Sequence, residues 1–472
     1  MAYLYDNQFT FMKSVDLDKE LLEKYSVSIP RYTSYPPAPE WSDKFTQEDF
    51  FLANEDANKK QTPVSLYFHL PFCENQCYFC GCNVVISKKH SVVQPYIEHL
   101  NKEIKNLNKG INSIRKIKQI HLGGGTPTYF TKVELLDFFS VVRDNFNLSK
   151  DCEISIEVDP RVTTFEHLET LMNLGFNRLS MGVQDFDPKV QEAINRVQSY
   201  DLTKKLLFKA RELGFASVSF DLIYGLPYQA NNSFLKTLDL VLELNPDRVA
   251  LFHYAHLPSM IPHQEKYIFG DALPSSNEKI EIFKSAVKQL TSNGYVFIGL
   301  DHFAKPDDEL SRAKKNKTLH RNFQGYTTQY DCDLYGFGIS SISHIQNTFS
   351  QNIKKINPYY EAVQLDKLPL FRGLILNKDD LIRKEIIMKI LCHGEIVKSE
   401  IEEKYDIGFE KYFASEIEQL KELEKDGLVV FDEDDRIAVA SVGQFFLRNI
   451  ACVFDYYLSK KNGKQRIYSK SV

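Results

Sequence analysis

From residue 62 to about 300 the chain alternates between short apolar runs and longer stretches in which apolar residues recur every three or four positions. The runs at 64–70, 119–123, 153–158, 178–183, 217–223 and 248–254 have the length and β-branched content of strands. Between them, 93–107, 132–146, 163–174, 201–213 and 232–242 carry the periodicity of helices. Repeated strand–helix alternation predicts a parallel sheet of α/β class. Six such units make an incomplete (β/α)6 barrel, with 296–300 as a possible further strand. In parallel barrels the functional groups gather at the carboxyl ends of the strands.

The flanks read differently. Residues 1–60 contain Pro30, Pro36, Pro37 and Pro39 and predict an irregular N-terminal arm. After about 375 come helices at 380–392 and 409–425, strands at 428–431 and 437–439, and a closing helix at 442–458. That order resembles a winged helix. Its turn, however, holds Asp432, Glu433, Asp434 and Asp435, which would repel nucleic-acid phosphate. The expected domains are therefore the arm (1–60), a barrel with its C-terminal extension (61–375), and a mainly helical cover (376–472).

Composition narrows the class. The 472 residues carry a net charge of −5, which argues against nucleic acid as the main partner. No apolar run reaches the ~18 residues of a membrane span. The first twenty residues lack the basic and apolar segments of a signal peptide, so a cytoplasmic protein with reduced thiols is expected.

The densest chemistry follows the first strand. Cys73, Cys77, Cys80 and Cys82 lie within ten residues. Three thiolates at C-x3-C-x2-C spacing can reach three irons of a cubane cluster from one loop, leaving the fourth iron open to a small ligand. A zinc site or a disulfide is the alternative. A zinc tetrahedron normally draws on a second ligand pair, and Cys152, Cys332, Cys392 and Cys452 are scattered singly. Gly123-Gly124-Gly125-Thr126 ends the second strand, where absent Cβ atoms let the backbone approach a ligand. Glu157 and Asp159 end the third, Gln184 and Asp185 the fourth, Asp221 lies in the fifth, and Ala255 follows the sixth. A carboxylate within an apolar strand is costly without a partner, and a ligand ammonium or ribose hydroxyl would provide one.

The cysteine spacing resembles that of the radical S-adenosylmethionine (SAM) enzymes. With PRYTSYP at 30–36, GGGTPT at 123–128, SIEVDPR at 155–161, FDLIYGLP at 220–227 and HRNFQGYTT at 320–328, the chain resembles the oxygen-independent coproporphyrinogen III oxidases. The resemblance implies a radical SAM barrel in which Cys73, Cys77 and Cys80 hold a [4Fe-4S] cluster, Cys82 being a non-ligand characteristic of the family. It implies two SAM molecules, the first contacted by Tyr67, Gly124, Glu157 and Ile342. The second would meet Phe79, Gly125, Thr126, Gln184, Arg196, Asp221 and Ala255. The implied reaction turns the ring A and B propionates of coproporphyrinogen III into vinyl groups, giving protoporphyrinogen IX. It needs a flavodoxin- or ferredoxin-like electron donor and an acceptor of unknown identity, and the resemblance suggests a monomer. Four substrate carboxylates call for basic groups, for which Arg31, His320 and Arg321 are the candidates. A related haem-trafficking protein shares the triad and barrel, but its relatives generally lack Cys82, the arm motif and the 320–328 stretch.

Overall fold

The computed structural model describes residues 18–432, 435–459 and 468. The first seventeen residues, on which the expectation of no signal peptide mostly rests, and Glu433 and Asp434 of the acidic turn lie outside the described residues.

Six parallel strands form the centre: β1 (Val64–Leu70), β2 (Ile117–Gly124), β3 (Leu148–Val158), β4 (Arg178–Gln184), β5 (Ser217–Tyr224) and β6 (Arg248–His253). Helices Val93–Asn108, Lys132–Asn145, Phe165–Asn173, Tyr200–Leu213 and Asn231–Leu244 link them. Local chemistry sets their ends. Thr131 and Thr164 close capping boxes at two helix starts, and Gly214 takes the left-handed conformation (φ +91°) just past another.

The central strands alternate with period two. In β3, Ile154, Ile156 and Val158 are buried in the main hydrophobic core, whereas Glu153, Ser155 and Glu157 line the barrel interior. The pairing register carries this alternation around the sheet, so that Glu157, Ser180, Ser219 and Arg248 form one interior row. The interior is consequently polar and the outside apolar.

The sheet runs beyond six strands. The chain continues through β7 (Val296–Gly299), β8 (His302–Ala304), β9 (Asp333–Phe337), β10 (Ile342–Ile345), β11 (Thr348–Asn352) and β12 (Leu370–Ile375). One open twelve-stranded sheet results, ordered β12-β11-β10-β9-β1-β2-β3-β4-β5-β6-β8-β7. The run at 296–300 is thus an edge strand, in a hairpin with β8. β9 adds parallel to β1 on the other flank, its Asp333 anchored by the buried Arg115 at 2.6 Å.

Three element expectations change. The arm is not irregular throughout: Lys19–Tyr25 and Gln47–Lys60 are helices. The breaking prolines all precede residue 40, and a Thr46–Asp49 capping box starts the second helix. The helix expected at 409–425 divides into Phe409–Tyr412 and Ala414–Lys425 at Phe413, which leaves helical geometry (φ −111°, ψ 30°). The closing helix is also broken, into the 3-10 turn Val442–Phe446 and helices Leu447–Cys452 and Tyr456–Ser459. A second buried core joins this C-terminal unit to Leu22, Tyr32 and Tyr35 of the arm and to Val296 and Ile298 of the sheet edge.

Candidate active site

The cysteine loop leaves β1 at the carboxyl rim, and four neighbours clamp its backbone. Tyr78 N–H donates to Ile194 O (3.0 Å), and Asn195 Nδ2 donates to Gln76 O (2.9 Å). His263 Nε2 lies 2.7 Å from Cys80 O, while Gln264 Nε2 donates to both Phe79 O (3.1 Å) and Ala255 O (3.2 Å). The loop is therefore held from two sides, by the segments following β4 and β6.

Cys73, Cys77, Cys80 and Cys82 are free thiols lining one cavity of about 570 Å³. That volume lies within the usual range of small-molecule sites. Each thiol has a polar neighbour. Cys73 Sγ is 3.3 Å from Thr126 Oγ1, and Cys80 Sγ accepts from Cys82 N–H at 3.4 Å. Cys77 Sγ accepts from Arg161 Nη2 (3.3 Å) and Arg196 Nη1 (3.6 Å). Burial pushes the Cys73 thiol up to about 12. No three His, Cys, Asp or Glu side chains among the described residues are grouped to hold a single metal ion. A cubane asks instead for thiolates set several ångströms apart around a concave wall, and three thiols on one cavity wall fit it.

The same cavity takes in Phe79, Gly124, Gly125, Thr126, Glu157, Gln184, Arg196 and Asp221. The three glycines sit where a side chain would crowd their neighbours, most severely at Gly125 against backbone. A Cβ would come within 2.8 Å of Glu157 at Gly123, 2.6 Å of the His69 ring at Gly124 and 2.5 Å of Pro71 at Gly125. Gly124 also has φ +116° and donates its N–H to Glu157 Oε2 at 3.2 Å.

Glu157 receives a second contact from His121 Nε2 (3.2 Å), whose Nδ1 is 2.6 Å from Ser155 Oγ. Burial would raise the Glu157 carboxyl, but His121 and the Gly124 N–H outweigh it and hold the group below its ordinary value. Asp221 behaves oppositely. With Ser180 as its hydrogen-bond donor (2.9 Å), burial pushes it up to about 7. Two interior carboxylates thus shift in opposite directions, Glu157 down and Asp221 up. At the amino-terminal end, Arg178 and Arg248 bind Glu309 at 2.7 and 2.8 Å, and Arg248 also holds Asp308 at 2.9 Å.

Three sequence candidates sit off the cavity wall. Tyr67 is the register partner of His121 on the neighbouring strand and stacks on its ring, with centroids 5.9 Å apart. Ala255 offers its carbonyl to Gln264, and Ile342 packs beside Trp41, Phe323 and Phe349. The basic candidates separate. Arg31 and Arg321 line a second, small cavity of about 50 Å³ with Asp301 and Arg448. His320 instead stacks on Tyr330, and burial lowers it to about 4. His121, Arg161, His302, Asn322, Gln324 and Tyr326 also line the main cavity. Period-two alternation from Glu157 back to Ser155 would have pointed to the interior row, but no sequence signal places the 322–326 hairpin there.

A model of the Radical SAM superfamily matches residues 67–241. The oxygen-independent coproporphyrinogen III oxidase of Synechocystis sp. is 44% identical over 467 residues, covering 98% of this chain and 100% of that protein. That of Escherichia coli is 45% identical over 455 residues, 96% of this chain and 98% of the relative. The solved structure of Escherichia coli coproporphyrinogen III oxidase, described as a radical SAM enzyme, superposes with a TM-score of 0.89 at 44% identity. The match covers 94% of this chain and 99% of that one.

Proposed function

The chain belongs to the oxygen-independent coproporphyrinogen III oxidases of the radical SAM superfamily, and from that membership we propose that it converts coproporphyrinogen III to protoporphyrinogen IX. Each ring A or B propionate gives up a hydrogen atom, CO2 and one electron to become a vinyl group. The observation that carries this reading is the cavity at the strand ends, where the Cys73, Cys77 and Cys80 thiols, with that of Cys82, face one space with Glu157 and Asp221.

Cys73, Cys77 and Cys80 would hold a [4Fe-4S] cluster. When bound, that cluster and SAM supply a 5′-deoxyadenosyl radical able to take a hydrogen atom from a propionate β-carbon. The protein's own part is placement and exclusion of water. Glu157, fixed by His121 and Gly124, presents a negative charge to the ammonium or ribose of a first SAM, with Tyr67, Gly124 and Ile342 around it. Phe79, Gly125, Thr126, Gln184, Arg196, Asp221 and Ala255 would contact a second SAM. Asp221, raised into the neutral range by burial, can in its protonated form donate a hydrogen bond there that an ionised carboxylate could not. Arg31 and Arg321 are assigned to substrate carboxylates. His320 has a lowered pKa and contributes shape rather than charge. A flavodoxin- or ferredoxin-like protein would deliver the electron and a separate acceptor remove it, with the enzyme acting as a cytoplasmic monomer. No helix among the described residues is long and apolar enough to cross a membrane.

The test is to incubate anaerobically reconstituted, reduced protein with SAM, coproporphyrinogen III and an electron acceptor or cell extract. Protoporphyrin is expected after oxidation of the products, and should be absent with Cys77→Ser. SAM cleavage with no decarboxylated porphyrin would defeat the proposal.

A further inference from the structure

Among the cavity-lining residues, Arg161 carries no role in the function described above, yet its guanidinium is the most constrained in the site. Nε donates to both oxygens of Asp159, at 3.1 and 3.2 Å, and Nη2 donates to Asp159 Oδ2 at 2.7 Å. Nη1 donates to Asn195 O at 3.2 Å. The backbone N–H of Arg161 also caps Asp159 Oδ1 at 3.0 Å. This fork leaves Nη2 with one further proton, aimed at Cys77 Sγ at 3.3 Å. Asp159 is itself buried and shared with Arg196 (2.9 Å), so the carboxylate locks two cations beside one sulfur.

The arrangement is specific to Cys77. Cys73 meets a hydroxyl, and Cys80 meets the backbone N–H and the thiol of Cys82. Of the three thiols, Cys77 alone is given guanidinium donors within hydrogen-bonding distance among the contacts described. Hydrogen bonds and positive charge at a ligating sulfur stabilise the more negative, reduced state of a cluster, and outer-shell partners of this kind shift metal-site properties by tenfold or more.

We propose that Arg161 is a positioning residue that sets the ease of reducing the cluster, by donating a charge-assisted hydrogen bond to the Cys77 thiolate. This rests on the reading that Cys77 is a cluster ligand. One electron, supplied from outside by a low-potential reductant, converts the 2+ cluster to the 1+ state. Arg161 favours the product of that transfer and exchanges no proton in it. Arg161 differs here from Arg196, which is assigned to SAM and reaches Cys77 at the longer distance.

The experiment is a redox titration of the reconstituted full-length protein, without SAM or substrate. Iron and sulfide content are measured first, and the reduced cluster is followed by electron paramagnetic resonance against dithionite-poised potentials. Arg161→Met keeps the bulk of the stem but removes both donor and charge. It is expected to assemble the same iron content, with the equilibrium constant for reduction lowered about tenfold, a potential about 59 mV more negative. An unchanged potential at full iron content would overturn the proposal. If Arg161→Met fails to hold iron, Arg161→Lys, which keeps the charge beside Asp159 but not the fork, provides the measurement. A potential below that of wild type supports the hydrogen bond, and one equal to wild type refutes it. Cys77→Ala, which leaves no donor atom, distinguishes the underlying reading: a full complement of cluster iron in that variant would mean that Cys77 is not a ligand, and both readings would fall.

Discussion

Arg321 illustrates what single side chains do at the rim. Its Nε and Nη1 are buried with no hydrogen-bond partner among the described residues, while its guanidinium stacks over the Tyr326 ring at 5.0 Å. Around the small cavity stand Arg31 and Arg448, with Asp301 as the balancing carboxylate. Burial would raise Asp301, but His302, Arg321 and Arg31 together hold it well below the usual carboxylate range. Guanidinium protons left unpaired next to a cavity are a place for an added carboxylate, since a charge-assisted pair recovers about 1.5–3 kcal/mol. Arg321→Ala is therefore expected to raise KM for coproporphyrinogen III by about ten- to a hundredfold, with a smaller change in kcat. Steady-state kinetics at saturating SAM measure this, and a KM equal to wild type would reassign Arg321 to holding the hairpin. At this scale the sequence was most legible where spacing itself is chemistry. The intervals of Cys73, Cys77 and Cys80 suggested a shared site, and the three line one cavity, where Gly124 takes φ +116°. His121 was harder to read, since its role comes from Glu157 and Ser155, which stand across a strand pair that no local pattern specifies.

Elements are tied together by buried polar clamps, and Glu103 is the clearest. Projecting from the Val93–Asn108 helix, it accepts from Gly338 N–H (2.8 Å), Tyr359 Oη (2.6 Å) and Asn352 Nδ2 (2.6 Å). These belong to the loop after β9, the Ile356–Gln364 helix and β11, so one carboxylate joins the barrel to its antiparallel extension. Burial pushes Glu103 up to about 7 in spite of the three donors. From pH ~4.5 to 7 the folded state then keeps a proton that the unfolded state releases. This group's contribution is fully present below pH ~4.5 and is lost as pH rises through 7, by an amount on the order of 3 kcal/mol. Glu103→Gln lacks that titration. The variant loses acceptor bonds and melts below wild type at pH 5, but the gap in Tm should shrink by several degrees at pH 8. A gap that stays constant between the two pH values would rule this out. The parallel strands and their helices were legible because period-two and 3.6-residue patterns are local. Strands β9 to β12 were not, since Asp333–Phe337 acquires its partner β1 across more than two hundred residues and its anchor from Arg115. The Gln47–Lys60 helix was obscured by a proline cluster that ends before it begins.

At the scale of the whole molecule, the C-terminal unit does not close its own core. Ile382, Ile386, Ile390 and Leu447 share one buried cluster with Leu22, Tyr32 and Tyr35 of the arm and Val296 and Ile298 of the sheet edge. Polar contacts repeat the connection: Arg448 Nε donates to Pro30 O (3.1 Å), Asn449 Nδ2 to Tyr25 O (2.9 Å) and Tyr32 Oη to Asp455 (3.0 Å). Tyr326 of the 320–328 hairpin donates to Leu391 O at 2.9 Å, bringing the cavity wall into the same assembly. The arm thus acts as a strap that fastens the C-terminal unit to the barrel edge, a role its sequence could not disclose because every partner lies hundreds of residues away. Tyr32 and Tyr35 are essentially fully buried, and truncating a large core aromatic costs roughly 3–5 kcal/mol. Tyr32→Ala with Tyr35→Ala should therefore lower the opening free energy of the C-terminal unit while β1 to β6, which rest on the separate main core, stay closed. Hydrogen exchange on the intact chain reads both regions at once. Amides of 382–391 and 447–454 are expected to exchange at least a hundredfold faster, and those of 64–70 and 153–158 at unchanged rates. Equal acceleration in both regions would show one cooperative unit rather than a barrel with a strapped-on cover. Protection unchanged throughout would deny the strap its energetic role, leaving the arm a passive covering of a core that the C-terminal helices complete by themselves.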